Sequence, residues 1–261
     1  VKKGVFNTVT DYTDINDLLF FTANEIEQIL AGNIVGFYLT GSLTYNDFVT
    51  GRSDIDLLVV VENALSKDVI NLIAQFHNEL GNRYPQWAER LECSYLPIRE
   101  LPNIQPPKEP RPYFGGGTFY AEAPYGNEWI INQYFLYNYG INLIGPDFKS
   151  IAEPVSFDEV RTAAINDFFN EWVPKINDPE WLENSHYQSY LVLNLCRILK
   201  TVISYQAVSK TKSALWVISE FSQWNNLVKK AMNWHYGMKM NEQKKVIEFI
   251  RFVGEKIESD A

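Results

Sequence analysis

Gly41-Ser42, then Arg52-Ser53-Asp54-Ile55-Asp56-Leu57-Leu58-Val59-Val60-Val61, is the stretch on which the reading of this chain turns. A glycine-serine turn leads through a short polar segment into an apolar, β-branched run that opens with two aspartates. Residues two apart in a strand point to the same side, so Asp54 and Asp56 should stand together at one end of a strand that is otherwise sheet core. Nothing in folding asks for that. Like charges a few ångströms apart repel, and they are tolerated where a divalent cation or a proton sits between them. Leu58 and Val60 continue the carboxylate face, while Ile55, Leu57, Val59 and Val61 face the other way, so the strand is buried with helices on both sides.

Around it the first 150 residues read as an α/β domain. Residues 16–30 have helical periodicity, as one long helix or two short ones ending near Gly32. Residues 34–40 form a short strand, broken by Gly41-Ser42. Residues 43–48 make a short helix whose first amides point back over the strand end, where a triphosphate finds donors; an ordinary turn is the plainer alternative. Arg52 is either a phosphate contact or a solvated surface residue. A crossover helix over 67–80 stops at Gly81, and a strand follows at 91–96. If that strand lies beside Asp54 and Asp56, Glu92 brings a third carboxylate; otherwise it is an edge glutamate turned to water. The prolines at 102, 106, 107, 110 and 112 make 97–112 a stiff surface excursion. Residues 113–120 interleave glycine with aromatics, Phe119 among them, as mobile cover for a small-molecule cleft or as a turn between edge strands; no P-loop lysine follows. A helix over 127–139 and a short strand over 141–144 close the domain.

From residue 151 alternation gives way to helical patterns. Helices are expected over 158–172, 187–205, 214–218, 221–236 and 241–257, which together make a bundle. Arg197 on an apolar helix requires an anion, a snorkelling route or solvent. The tryptophans concentrated in this half are packing residues, with one or two free to stack on a base or sugar.

The net charge of -9 disfavours a nucleic-acid groove and suits a small cationic substrate. Cys93 and Cys196, the only cysteines, are too few for a disulfide framework or a thiolate zinc site. Residues 1–10, read as an arm, carry no basic region followed by an apolar one, and no run reaches membrane-spanning length, so a cytoplasmic protein is expected. The chemistry that fits is nucleotidyl transfer: Asp54 and Asp56 for Mg²⁺, Gly41-Ser42 for phosphate, Glu92 for the acceptor hydroxyl, and Arg197 or Lys210 for the departing pyrophosphate, in a site between the two domains. A phosphatase also uses paired aspartates, but would need more catalytic groups than can be placed. A plain scaffold with carboxylates capping a loop is the third reading.

The Gly-Ser turn followed by Ser53-Asp54-Ile55-Asp56 resembles the polymerase-β-like nucleotidyltransferase signature. Over about residues 30–257 the order of elements is similar to the aminoglycoside nucleotidyltransferases of the streptomycin 3''- and spectinomycin 9-adenylyltransferase group. That resemblance implies an α/β (α+β) nucleotidyltransferase domain with a mixed sheet (1–150) followed by an all-α helical-bundle domain (151–261). It implies AMP transfer from ATP, with Mg²⁺, to a drug hydroxyl, by a protein expected to be a monomer.

By the resemblance, Asp54 and Asp56 hold metal, Ser42 contacts phosphate, and Glu92 in Leu91-Glu92-Cys93-Ser94 is the base. Arg197 in Leu193-Asn194-Leu195-Cys196-Arg197, Lys210 and Tyr236 contact the nucleotide. Trp172 resembles a drug-side tryptophan. Two departures bear on the acceptor: 113–120 lacks the family's tryptophan, and Tyr187 stands near an acidic drug-contacting position, with Glu180 and Glu183 close by. Transfer to another small molecule or a protein, or nucleotide binding without transfer, is the alternative.

Overall fold

The computed structural model describes residues 9–101, 105–178 and 180–260. Pro102, Pro179 and the first eight residues of the expected arm lie outside the described residues. The chain divides into two compact units: Val1–Phe48, Ser53–Tyr125 and Asn132–Val155 in the first, and Val49–Arg52, Gly126–Ile131 and Ser156–Ala261 in the second.

The first unit is built on a six-stranded sheet of β1 (Ile34–Thr40), β2 (Ile55–Val61), β3 (Leu91–Pro97), β4 (Arg111–Gly115), β5 (Thr118–Ala123) and β6 (Ile141–Ile144). Their spatial order is β5-β4-β3-β2-β1-β6, with β2 and β3 parallel and the other pairs antiparallel. A parallel pair needs a crossover, and α2 (Lys67–Arg83) supplies it. Together with α1 (Thr13–Ile29), α2 packs against the inner face of the sheet, in a core that includes Leu18, Leu19, Ile26, Phe37, Leu39, Leu57, Val59, Phe76, Cys93 and Phe114. The opposite face is buried at Tyr38, Leu58, Val60 and Leu96.

Several expected elements are redrawn. The 16–30 segment is one helix, starting earlier. The short helix expected over 43–48 is a single 3₁₀ turn, Gly41–Thr44, after which Asn46 takes a left-handed φ of 56°. Gly81 does not end α2, which runs two residues further; Tyr84 caps it before Pro85, where the proline ring disfavours helix. The 113–120 stretch is the β4–β5 hairpin, its turn made by Gly116 (φ 59°) and Gly117 (φ 75°). Pro112 sits within β4 where the β4–β5 register shifts between Arg111 and Tyr113, so its missing N–H falls at an irregularity of the ladder.

In the second unit, α4 (Phe157–Asp167) begins at a capping box: Ser156 accepts from the Glu159 amide while the Glu159 carboxylate accepts from the Ser156 amide. A π-helical turn, Phe168–Trp172, extends it. α5 (Ser185–Ser204) is the central helix, packed against α4, α6 (Lys210–Glu220), α7 (Asn225–Met232) and α8 (Gln243–Asp260). The helix expected over 221–236 shrinks to the eight residues of α7, preceded by a 3₁₀ turn. Among the described residues no helix is long and apolar enough to cross a membrane. Cys93 and Cys196 are both buried and free. α3 (Glu128–Tyr139) begins in the segment assigned to this unit and continues in the first.

Candidate active site

In the first unit the carboxylates meet through strand register. Thr40 pairs with Asp56 across β1–β2, and Asp56 pairs with Glu92 across the parallel β2–β3 ladder. Paired positions on neighbouring strands share a face, so the Asp56 and Glu92 side chains rise side by side from adjacent strands about 4.8 Å apart. The Gly-Ser turn lies against them. Gly41 has φ +72°, and a Cβ there would fall 1.8 Å from Asp56 Oδ2, closer than any real Cβ approaches. Glycine is needed twice, for the left-handed backbone and for the space that the carboxylate fills. Ser42 follows as the second residue of the 3₁₀ turn.

Asp54 stands just before β2, with Arg90 Nε 4.0 Å from its Oδ1. Arg90 also donates to the Ser53 carbonyl, and its guanidinium lies 4.5 Å from the Trp87 ring centre, so the entrance to β2 is pinned by one arginine. On the carboxylate face of β4, the Tyr113 phenol hydrogen-bonds Glu92. Burial first, then the Glu92 and Asp56 charges, hold that phenol well above its ordinary range, opposed by Arg111. It stays protonated and therefore donates.

Phe119, expected over a substrate cleft, is placed otherwise. It pairs with Phe114, and its ring stacks on buried His77 with centroids 5.9 Å apart. It belongs to the helix-covered core, on the opposite side of the sheet from Glu92. Tyr120, one residue on, takes the carboxylate side and stacks on Tyr113 with centroids 6.3 Å apart.

In the second unit the nucleotide and drug-side candidates join one aromatic network. Trp172 approaches Trp181 and Tyr190 with centroids 6.1 and 5.9 Å apart. Tyr187 stacks flat on Trp181 at 4.6 Å and 5°. His186 ties Tyr187, Tyr190, Trp234 and Tyr236 together, and the Tyr236 hydroxyl is 3.4 Å from its Nε2. Lys210, the first residue of α6, places Nζ 4.1 Å from the Tyr190 ring centre. Ser209 caps the same helix end by accepting from the Lys212 amide, so a lysine stands at a capped, electropositive helix start.

Arg197 donates to Asn194 Oδ1 at 2.8 Å. It also faces Asp167, a carboxyl that burial pushes up to about 6; Trp172 Nε1 donates to this group at 2.6 Å, and the Glu128 charge adds to the rise while Arg197 opposes it. Trp172 and Arg197, singled out separately, thus both act on Asp167, one by a hydrogen bond and the other by its charge.

Arg52 lies in the segment assigned to the second unit. It donates to the Met232 carbonyl at the end of α7 and to Thr211 Oγ1 at 3.4 Å, while Gly51 O accepts from the Tyr236 amide. Segment Val49–Arg52 packs with the helical unit, where Arg52 ties the end of α7 to the start of α6. The sequence reading missed Tyr113, Arg90, Asp167 and His186. For Tyr113 a signal existed, since it lies two residues before a glycine in a strand beside Glu92.

Among the described residues no group of three or more His, Cys, Asp or Glu side chains holds a metal position alone. Asp54 and Asp56 nonetheless suit Mg²⁺, a hard ion ordinarily held by one or two carboxylates and completed by substrate phosphate oxygens. The Gly41 cradle around Asp56 Oδ2 leaves that carboxylate backed by main chain.

Two family profiles match the chain in succession: "Nucleotidyltransferase domain" over residues 23–103 and "Aminoglycoside adenylyltransferase, C-terminal domain" over residues 152–256. No curated protein sequence matches it. Among solved structures, the crystal structure of spectinomycin adenyltransferase AAD(9) from Enterococcus faecialis with ATP and spectinomycin is similar over 93% of this chain and 98% of that one. The TM-score is 0.73 at 16% identity, a likeness of fold. The chain thus carries a nucleotidyltransferase domain followed by a C-terminal domain of the aminoglycoside adenylyltransferases, in a fold shared with that structure along nearly its whole length.

Proposed function

We propose that this enzyme transfers AMP from ATP to a hydroxyl of an aminoglycoside or aminocyclitol. The observation that carries the reading is the Asp56–Glu92 register with Gly41 pressed against Asp56: metal-type and base-type carboxylates on adjacent strands, beside a turn suited to phosphate. Glu92 accepts the proton of the acceptor hydroxyl. The hydroxyl oxygen bonds to the α-phosphorus, the bond to the β-phosphate oxygen breaks, and pyrophosphate leaves. Asp54 and Asp56 hold the Mg²⁺ that, when bound, offsets phosphate charge. Ser42 contacts the phosphates, Arg197 and Lys210 steady the leaving pyrophosphate, and Tyr236 serves the nucleotide.

Trp172 and Tyr187 are assigned to the acceptor. The flat Tyr187–Trp181 stack offers a ring face to a sugar or cyclitol, and the acidic net charge draws a cation. Mass spectrometry of drugs incubated with the enzyme, ATP and Mg²⁺ tests this. A streptomycin- or spectinomycin-type drug heavier by one AMP, absent when Mg²⁺ is chelated, is expected. Label on a non-drug acceptor alone would move the substrate elsewhere.

A further inference from the structure

β4 carries two residues, Tyr113 and Gly115, whose relation explains how Glu92 is held. The antiparallel ladder pairs Cys93 with Phe114 and Ser94 with Tyr113, which sets Gly115 opposite Glu92. Being two apart, Tyr113 and Gly115 share the carboxylate face. Gly115 does not adopt a left-handed φ, so conformation is not what requires a glycine there. Space is. A Cβ on Gly115 would fall 2.4 Å from the Tyr113 hydroxyl oxygen, 2.6 Å from Cζ and 2.7 Å from Cε1. The Tyr113 ring lies along its own strand, over the place where residue 115 has no side chain.

The ring is fixed on its flanks as well. Tyr120 stacks on it from β5. The Arg111 guanidinium lies 5.3 Å from its centre, held by Nε donating to Ser94 Oγ at 3.1 Å and by 4.0 Å contact with the Tyr125 ring. The hydroxyl of this confined tyrosine hydrogen-bonds Glu92, with the Asp56 charge also acting on it.

We propose that Tyr113 is a positioning residue for Glu92: lying in the space left by Gly115, its phenol holds one carboxylate oxygen so that the other keeps a fixed direction toward the acceptor hydroxyl. The inference rests on the reading of Glu92 as the base. A carboxylate swivels about its last torsion, and fixing it acts on the chemical step while leaving nucleotide binding alone.

The test takes Tyr113→Phe, which keeps the ring and removes the donor, and Gly115→Ala, which removes the space and keeps the donor. Each should lower kcat by about tenfold to 100-fold with KM for ATP unchanged, a split that mere loosening of the fold does not produce. Crystal structures of both variants should show the Glu92 side chain moved or in more than one rotamer on an unchanged β3. Wild-type kcat in both variants, or a single unmoved Glu92 in both structures, would overturn the proposal. Should the wild-type enzyme transfer AMP to no acceptor, the reading of Glu92 as base fails separately, and the two structures still decide whether Tyr113 fixes it.

Discussion

At the scale of single residues, Gly41 states most clearly what this site demands. Its φ of +72° costs a non-glycine residue roughly 1 kcal/mol, a loss the fold tolerates. The same substitution puts a Cβ 1.8 Å from Asp56 Oδ2, so the carboxylate must leave its position. Gly41→Ala should therefore leave the far-ultraviolet circular dichroism spectrum intact and lower AMP transfer by about 100-fold or more; near-normal turnover in a folded variant would mean that the Asp56 carboxylate is not held as described. Asp56 was legible in the sequence because strand alternation leaves few ways to place it, while Glu92 joined it only on the condition that residues 91–96 lie beside residues 55–61, which the parallel ladder meets. Phe119 was not. Alternation says that a strand has two faces, and only register says which face each residue takes; here the pairing of Phe119 with Phe114 puts it on the helix-covered side.

At the scale of elements, the long periodic segments were readable and their ends were not. α5 begins within two residues of expectation because its apolar stripe is continuous, whereas the 221–236 segment shortens to α7, with half-buried Phe221 and Trp224 packing on Phe252 ahead of it. Gly81 shows the converse, a glycine that terminates nothing. Arg52 joins elements that sequence spacing cannot relate, lying 180 residues from the carbonyl it holds. Charged hydrogen bonds to a helix end contribute about 1.5–3 kcal/mol. Arg52→Ala should lower the free energy of unfolding by about that much in urea titrations while leaving KM for ATP within about twofold. A large rise in KM with unchanged stability would return Arg52 to the phosphates.

For the whole molecule, pH sensitivity follows from one buried imidazole. His77 bonds Tyr95 through Nε2 at 2.8 Å and stacks on Phe114 at 4.4 Å; burial holds its pKa down to about 3. Folded protein therefore keeps it neutral, while unfolded chain protonates it below about pH 6.5. The stability it contributes is complete above that value and is lost as pH falls toward 3, at about 1.4 kcal/mol per unit. Between pH 7 and pH 5, wild-type stability should fall by about 2 kcal/mol more than that of His77→Phe. Equal slopes would show that the histidine is protonated in the fold. Its partners Tyr95, Phe114 and Phe119 come from β3, β4 and β5, which no local pattern in α2 reveals.

The central claim, that paired carboxylates beside Gly41 transfer a nucleotide to a small cationic alcohol, is tested most directly by pyrophosphate release from ATP and Mg²⁺ with and without aminoglycosides, using wild-type, Asp56→Asn and Glu92→Gln enzymes. The account predicts release that depends on the drug in the wild type and falls by about 100-fold or more in both variants. Release that ignores the drug, or that persists in Glu92→Gln at the wild-type rate, would contradict it.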